Sequence, residues 1–521
     1  MFYTLDWIIV GLYCIGIISL ATYVSRKKAG SERSAEDYFL AGRSLPWWAI
    51  GASLIAANIS AEQIIGMSGQ GFVVGMAIAV WELTAAIALI VMAKFFLPLF
   101  LEKKIYTMPQ FLEQRFDKRV SLVLSFFWLT VYIFVNLTAV LWLGSLAINT
   151  LTGMSLVNGM ILLAFLSLAY SLSGGLKAVA MTDIVQVVLL IFGGLAVSYI
   201  ALTKIGDGSI STGMVQVYQQ MPEKFDMILS PDNPSYNNLP GIWILIGAGV
   251  WIGHFAYWGF NQYITQRALG AKSLKEAQKG VMFAAYLKLL MPLVIVLPGI
   301  CAAILFPVLD KTDQAYPTMM IELLPSGLLG LTFAALIAAI VSSLASMTNS
   351  ISTIFTMDIC RSFSKNEIQQ SSLILIGRSA VVGSMLIALV MAKPILGNSD
   401  QIFQYIQNFT GLFTPGILVI FLVALFWKKA TALSVLVAAI LSVVMSIFIQ
   451  ASFPDFPYIH RMGVVFFASG MGCYLTSLAQ GYLDQEKAID LNGINFKTSK
   501  AFNVNSLIIV SILTLIYVTL G

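Results

Sequence analysis

The residues best equipped for chemistry in this chain are ionisable and amide side chains set inside apolar sequence. Glu82 stands early in one apolar run, and Lys288 lies deep in another, Val281-Met-Phe-Ala-Ala-Tyr-Leu-Lys-Leu-Leu-Met-Pro. Asp183 lies near the start of a third. A charge in such surroundings is expensive, so it is retained where it pairs with another charge or handles a polar solute. Lys94, close to the end of its run, can instead reach water along its aliphatic stem. Asn58 and Gln63 bracket Ser60 and Glu62 in one run, Asn136 lies in a second and Gln407 in another, while His254, Tyr257 and Trp258 cluster in a glycine-rich one. Together they offer donors, acceptors and an aromatic face, the complement of an uncharged ring bearing several hydroxyls. Each polar residue taken singly could equally serve as a helix-to-helix hydrogen bond worth about 0.6 kcal/mol.

A second constellation suits a small cation. In Ala338-Ala-Ile-Val-Ser-Ser-Leu-Ala-Ser-Met, residues Ala339, Ser342 and Ser343 are spaced i, i+3, i+4 and share one helical face. Two hydroxyls, joined by backbone carbonyls released where a helix unwinds near Ala56 and Ile59, form an oxygen shell fit for Na+. The same small residues also suit close helix packing. No Walker, HExxH, CxxC or GxSxG pattern occurs, and the four cysteines (Cys14, Cys301, Cys360, Cys473) have neither metal-site nor redox spacing. Enzymatic chemistry is not expected.

The elements that must position these groups are membrane helices. Of 521 residues, 58% are hydrophobic and 11% charged, against about 25% charged in soluble domains. Apolar runs of spanning length, about 20 residues, recur throughout, and in lipid such runs must be helical to satisfy their backbone groups. The alternation of a membrane β-barrel is absent. The pattern predicts an all-α polytopic membrane protein of about fourteen transmembrane helices at 5–25, 46–70, 76–101, 120–149, 153–173, 179–203, 239–259, 278–307, 326–356, 371–394, 402–426, 430–450, 461–481 and 503–520. The first run ends in Arg26-Lys27-Lys28 without a small-residue cleavage site, so it reads as span one and not as a signal peptide.

Basic residues test the count. They crowd the connections after odd-numbered spans (Arg26, Lys27, Lys28, Arg33, Arg43; Lys103, Lys104, Arg115, Lys118, Arg119; Lys177; Arg267, Lys272, Lys275, Lys279; Arg361, Lys365; Lys428, Lys429; Lys487, Lys497, Lys500), whereas the even-numbered connections hold Lys204, Lys224, Lys311, Lys393 and Arg461. The odd connections are therefore expected in the cytoplasm and both termini outside. The long outer segment 204–238 reads as an ordered cap. Spans two and seven, interrupted by polar residues or glycines, lie five apart. An odd offset puts two five-helix units in the membrane upside down to one another, which predicts a five-plus-five inverted-repeat core with broken helices. Its halves would be 46–203 and 239–426, with 5–25 and 430–520 peripheral, in one transport domain over 1–521.

Three stretches carry a family resemblance: DYFLAGRSLPWWAIGASLIAANISAEQ from Asp37 to Gln63, YSLSGGLKAV from Tyr170 to Val179, and the serine-rich run at Ala339–Met347. They resemble the sodium:solute symporter family, and YWGFNQYITQR from Tyr257 to Arg267 resembles its sugar-transporting branch. The resemblance implies alternating access and sodium-driven uptake of a monosaccharide of galactose or glucose type. It implies sugar contacts from Asn58, Gln63, Glu82, Asn136, Lys288 and Gln407, with Tyr257 as an aromatic gate and Trp258 beside it. His254, in the same glycine-rich span, joins this candidate set. Ala56, Ile59 and Ala339 would give carbonyls to Na+, Ser342 and Ser343 hydroxyls, and Asp183 would receive the ion on its way to the cytoplasm. Trp81, Ala85 and His254 depart from the galactose-type pattern, which has Tyr, Ser and Asn there. The expected partners are thus a sugar, Na+ and the lipid bilayer of the cell (inner) membrane, with no nucleic acid and a monomer sufficing. A symporter for another polar solute such as an inositol, or a passive channel, is the alternative.

Overall fold

The computed structural model describes residues 2–25, 40–105, 107–364 and 368–521, and at 18, 21, 25, 170 and 172–178 it describes the backbone alone. The start of the first family stretch and the basic residues Arg26, Lys27, Lys28, Arg33 and Lys365 lie outside the described residues.

Each apolar run folds as helix. Among the described residues, ten helices are long and apolar enough to cross a membrane, or up to twelve when two bent pairs count as one span each. Length and composition alone therefore leave two of the fourteen expected crossings undecided: 153–173, whose apolar part is Leu156–Ala169, and 239–259, which is broken into short pieces.

Helical hydrogen bonding runs from Leu156 to Ile205 through the turn expected near Ser173. A straight helix of that length would measure about 75 Å, more than twice a bilayer core. Neighbouring contacts show that the run reverses instead. Leu163 and Ile340 meet at Gly144, and Ser171 Oγ lies 3.2 Å from Thr348 Oγ1, so 163–171 runs with 340–348. Ser342 then bonds Asp183, and Gly193 packs on Thr332, so 183–193 runs against 342–332. Spans five and six are therefore two antiparallel limbs.

The breaks fall where the polar residues are. Span two is Trp47–Asn58 followed by Glu62–Val73, bent by 61°. Ile59 is extended (φ −80, ψ 95), and the second half opens as a wide π-helical turn over Glu62–Met67, a feature common at functional sites. Ser60 organises the break: its N–H donates to Gln63 Oε1 at 3.2 Å, and its Oγ accepts from the Glu62 N–H. Span seven consists of Trp243–Ile246, a left-handed Ala248 (φ +70), Gly249–Phe260, and then Gln262–Leu269 after an extended Asn261. Gly249 is required for packing, because a Cβ there would collide with the Ile459 carbonyl of span thirteen. Span eleven, Ile402–Thr410 and Thr414–Phe426, bends by 48°.

Two arginines assigned above to aqueous cytoplasmic connections are in fact buried. Arg115 is 2% exposed and donates to the carbonyls of Ala424, Trp427 and Ala430, satisfying the end of span eleven. Arg267 is 1% exposed and is described with the site below. The guanidinium donors on a long stem find acceptors inside the protein. In the segment 204–238, a helix at Ile210–Gln220 precedes a turn whose Lys224 donates to the Phe72 and Val73 carbonyls, closing the end of span two.

Candidate functional site

The break in span two brings two groups of side chains to its two sides. On one side lies a cavity lined by Asn58, Gln63, Glu82, Asn136, His254, Tyr257, Trp258, Lys288 and Gln407. All nine candidate solute contacts, from six different spans, thus share one wall. The cavity volume is about 120 Å3.

The polar groups on this wall are coupled. Lys288 Nζ donates to Glu82 Oε2 at 2.6 Å and to Asn58 Oδ1. The two charged side chains are 1% and 2% exposed, so this is a buried, hydrogen-bonded ion pair. Lys288 also sits 5.2 Å from the Trp258 ring, a cation–π contact that helps hold the ammonium away from water. Asn58 Nδ2 donates to Tyr257 OH at 3.1 Å, and Tyr257 OH meets Tyr263 OH at 2.7 Å. Asn58 therefore bridges the ion pair and the Tyr257–Tyr263 hydroxyl pair. It is the last helical residue before the break, which aims its side chain across the cavity.

Sequence reasoning left Glu62 out of the solute contacts, whereas Trp81, as a departure from the galactose-type pattern, was expected to line or neighbour the cavity. Both line it, and Glu62 Oε1 and Trp81 Nε1 are buried without a hydrogen-bond partner among the described residues. Glu62 was visible as a charge in mid-span, the same signal that marked Glu82. Of the three departures from the galactose-type pattern, Trp81 and His254 are on the wall, while Ala85 is fully buried and outside the lining set.

On the other side of the break, Ser343 Oγ donates to the Ala56 carbonyl at 3.4 Å. That carbonyl has lost its helical donor, since the Ser60 N–H four residues on turns to Gln63. Ala56, Ile59, Ala339, Ser342 and Ser343 are all buried, and the Ser343–Ala56 contact joins spans nine and two. The released Ala56 carbonyl meets the Ser343 hydroxyl, while the adjacent Ser342 hydroxyl donates to Asp183; freed carbonyls and hydroxyls are the oxygens a sodium ion takes, so the residues present fit the ion. Asp183 adjoins it: its carboxylate accepts from Ser342 Oγ and Ser53 Oγ, and Arg267 Nη2 stands 3.7 Å away. Arg267 also donates to the carbonyls of Ser53 and Tyr263 and to Ser346 Oγ. No sequence signal distinguished this arginine from its neighbours in the loop.

The model of the sodium:solute symporter family matches residues 38–433. The chain belongs to this family. It is 45% identical to the sodium/glucose cotransporter of Vibrio parahaemolyticus, over 98% of this chain and 97% of that one. It is 30% identical to the human sodium/myo-inositol cotransporter 2, over 81% of this chain and 66% of that protein. An uncharacterised symporter of Escherichia coli K12 is 35% identical, over 78% and 72%. Among solved structures, a Na+-coupled sialic acid symporter in a substrate-bound outward-open state superposes with a TM-score of 0.80 at 22% identity, over 92% of this chain and 98% of that one, which establishes the shared fold. As a family member the chain is a multi-pass membrane protein that couples solute movement to sodium, with Na+ as the coupling ion.

Proposed function

We propose that this symporter takes up a neutral monosaccharide of galactose or glucose type by alternating access, with one sodium ion per sugar. The observation that carries the reading is the convergence of Asn58, Gln63, Glu82, Asn136, His254, Lys288 and Gln407 on one wall beside the gate residue Tyr257. Such a set meets hydroxyls from several directions. The one cavity ammonium is already countered by Glu82, so a carboxylate solute would find no open counter-charge. A volume of about 120 Å3 is well below the roughly 300–1,000 Å3 of drug-sized pockets and suits a single ring. The glucose-transporting relative at 45% identity supports the same class.

Sodium, held by the carbonyls of Ala56, Ile59 and Ala339 and the hydroxyls of Ser342 and Ser343, ties span two to span nine and fixes the break. The fixed break holds Asn58 and Gln63 ready for sugar. Tyr257 closes the inner side until rocking of the core opens it, and Asp183 receives the departing ion. With Arg267 already countering Asp183, a second resident sodium there has little to gain, which supports the single-ion stoichiometry. One charge entering contributes about 2.3 kcal/mol per 100 mV. The moving core comprises repeats 46–203 and 239–426, in the cell inner membrane with both termini outside, and a monomer suffices.

The test is uptake of radiolabelled galactose, glucose or myo-inositol into proteoliposomes under an inward sodium or potassium gradient, for wild type and Ser343→Ala. Saturable, sodium-dependent sugar uptake that Ser343→Ala shifts to higher sodium is expected. Uptake indifferent to sodium would overturn the cation assignment. Preference for myo-inositol, transported by the human relative named above, would move the substrate to the cyclic polyols.

A further inference from the structure

His254 lines the cavity from span seven, its ring edge-on to Trp81 at 5.5 Å. Its Nε2 lies 2.8 Å from Thr84 Oγ1. A hydrogen bond between these atoms can run either way, and a second contact decides the direction. Thr84 Oγ1 is also against the Val80 carbonyl one helical turn back. A carbonyl oxygen has no proton, so the Thr84 hydroxyl must donate its single hydrogen there. It can then only accept from His254, and the hydrogen between the two residues belongs to Nε2.

In the neutral ring, a proton on Nε2 leaves Nδ1 as an acceptor. Nδ1 makes no hydrogen bond with the described residues and is not among the sealed, unpartnered atoms; it opens toward the cavity that His254 lines. Thr84 is 3% exposed and outside the lining set. Whatever it does for a solute, it does through His254.

We propose that Thr84 is a positioning residue that fixes His254 as the Nε2–H tautomer, turning Nδ1 into an acceptor for one hydroxyl donated by the substrate. This rests on the sugar reading above and adds a selectivity rule to it: at one ring position the substrate must carry a hydrogen-bond donor. An amide at this position could rotate to offer either a donor or an acceptor, and the Thr84–Val80 relay removes that choice.

Two experiments decide it. In the first, wild type, Thr84→Ser and Thr84→Val are compared in proteoliposomes for sodium-driven uptake of labelled galactose or glucose. The competitors are analogues in which each ring hydroxyl in turn is replaced by hydrogen or by fluorine, which cannot donate. In wild type and Thr84→Ser, one position should show a loss of about three- to ten-fold for both replacements. In Thr84→Val the parent sugar should weaken by a similar factor and the penalty at that position should vanish, with sodium dependence unchanged. Full binding of every fluorinated analogue to wild type, or an unaltered penalty in Thr84→Val, would overturn the proposal. The second needs no Thr84 variant and so survives a folding defect. The chain has two histidines, so the 15N-histidine spectrum of the wild-type protein in lipid is assigned by one His254→Asn control. A protonated Nε2, with an unprotonated Nδ1 whose resonance moves on adding sugar, is the expected signature. A His254 protonated on Nδ1 would sink the idea. A wild type that transports no sugar at all would remove the parent reading, and this inference with it.

Discussion

The Glu82–Lys288 pair allows a prediction worked from geometry. Both side chains are buried to within 2% and meet at 2.6 Å, and Lys288 also bonds Asn58. Replacing Lys288 by Met keeps the length of the stem but leaves Glu82 as an unpaired charge in a nearly dry site. Breaking a buried pair from one side costs about 3–5 kcal/mol, while replacing both partners by neutral groups of similar size is often close to neutral. Lys288→Met should therefore lower the melting midpoint in detergent sharply. Glu82→Gln combined with Lys288→Met should recover most of the loss, with a coupling energy of at least about 2 kcal/mol at the upper end of double-mutant cycles. Sugar uptake should be lost in all three variants, because both residues line the cavity. The assay is a thermal-melt cycle on wild type, both single variants and the double variant, with sodium present and sugar absent. Additive losses would refute the reasoning, since they would mean that Glu82 is hydrated or paired elsewhere.

Other outcomes follow from particular contacts. Asp313, in the outer connection between spans eight and nine, is fully buried, with Oδ2 accepting from the Ile402 N–H and Oδ1 beside Gly69. Burial first, and then neighbouring Asp400, pushes its carboxyl up to about 7 from 3.8, against the lowering by the Ile402 N–H and Lys311. A raised carboxyl stabilises the closed outer contacts fully below about pH 4 and loses that contribution as pH rises through about 7. Wild type and Asp313→Asn should melt alike at about pH 4 or below and diverge progressively between about pH 4 and 7, with wild type the less stable and the gap level above that; a constant gap across the range would contradict this. Gly249→Ala should force span seven off the Ile459 carbonyl, at about 1–3 kcal/mol, read as a lower melting midpoint together with reduced uptake. Arg115→Ala should uncap the end of span eleven and lower the melting midpoint without changing the apparent KM for sugar, because Arg115 lies outside the cavity.

Hydropathy along the chain was enough for the helical class, for most of the spans, and for nine of the polar and aromatic residues that line the cavity. The physics there is local: a bilayer demands about 20 apolar residues per crossing, and a polar group within one stands out against that background. Asn58, Gln63, Asn136, Lys288 and Gln407 were each legible for this reason before any contact was known. The break in span two was legible as well, because Asn58, Ser60, Glu62 and Gln63 interrupt an otherwise apolar run.

What only the tertiary structure decided is which polar group answers which. Glu82 and Lys288 are about two hundred residues apart, and nothing local says that they meet. Arg115 and Arg267 look like ordinary basic loop residues, and they are buried because carbonyls and a carboxylate from distant spans happen to face them. Thr84 reads as one small residue in an apolar helix until His254 is packed against it, and the direction of their hydrogen bond depends on a carbonyl contributed by the fold. Hydropathy is a property of a segment and can be summed along the chain. Hydrogen-bond complementarity is a property of a pair, and pairs are formed by folding.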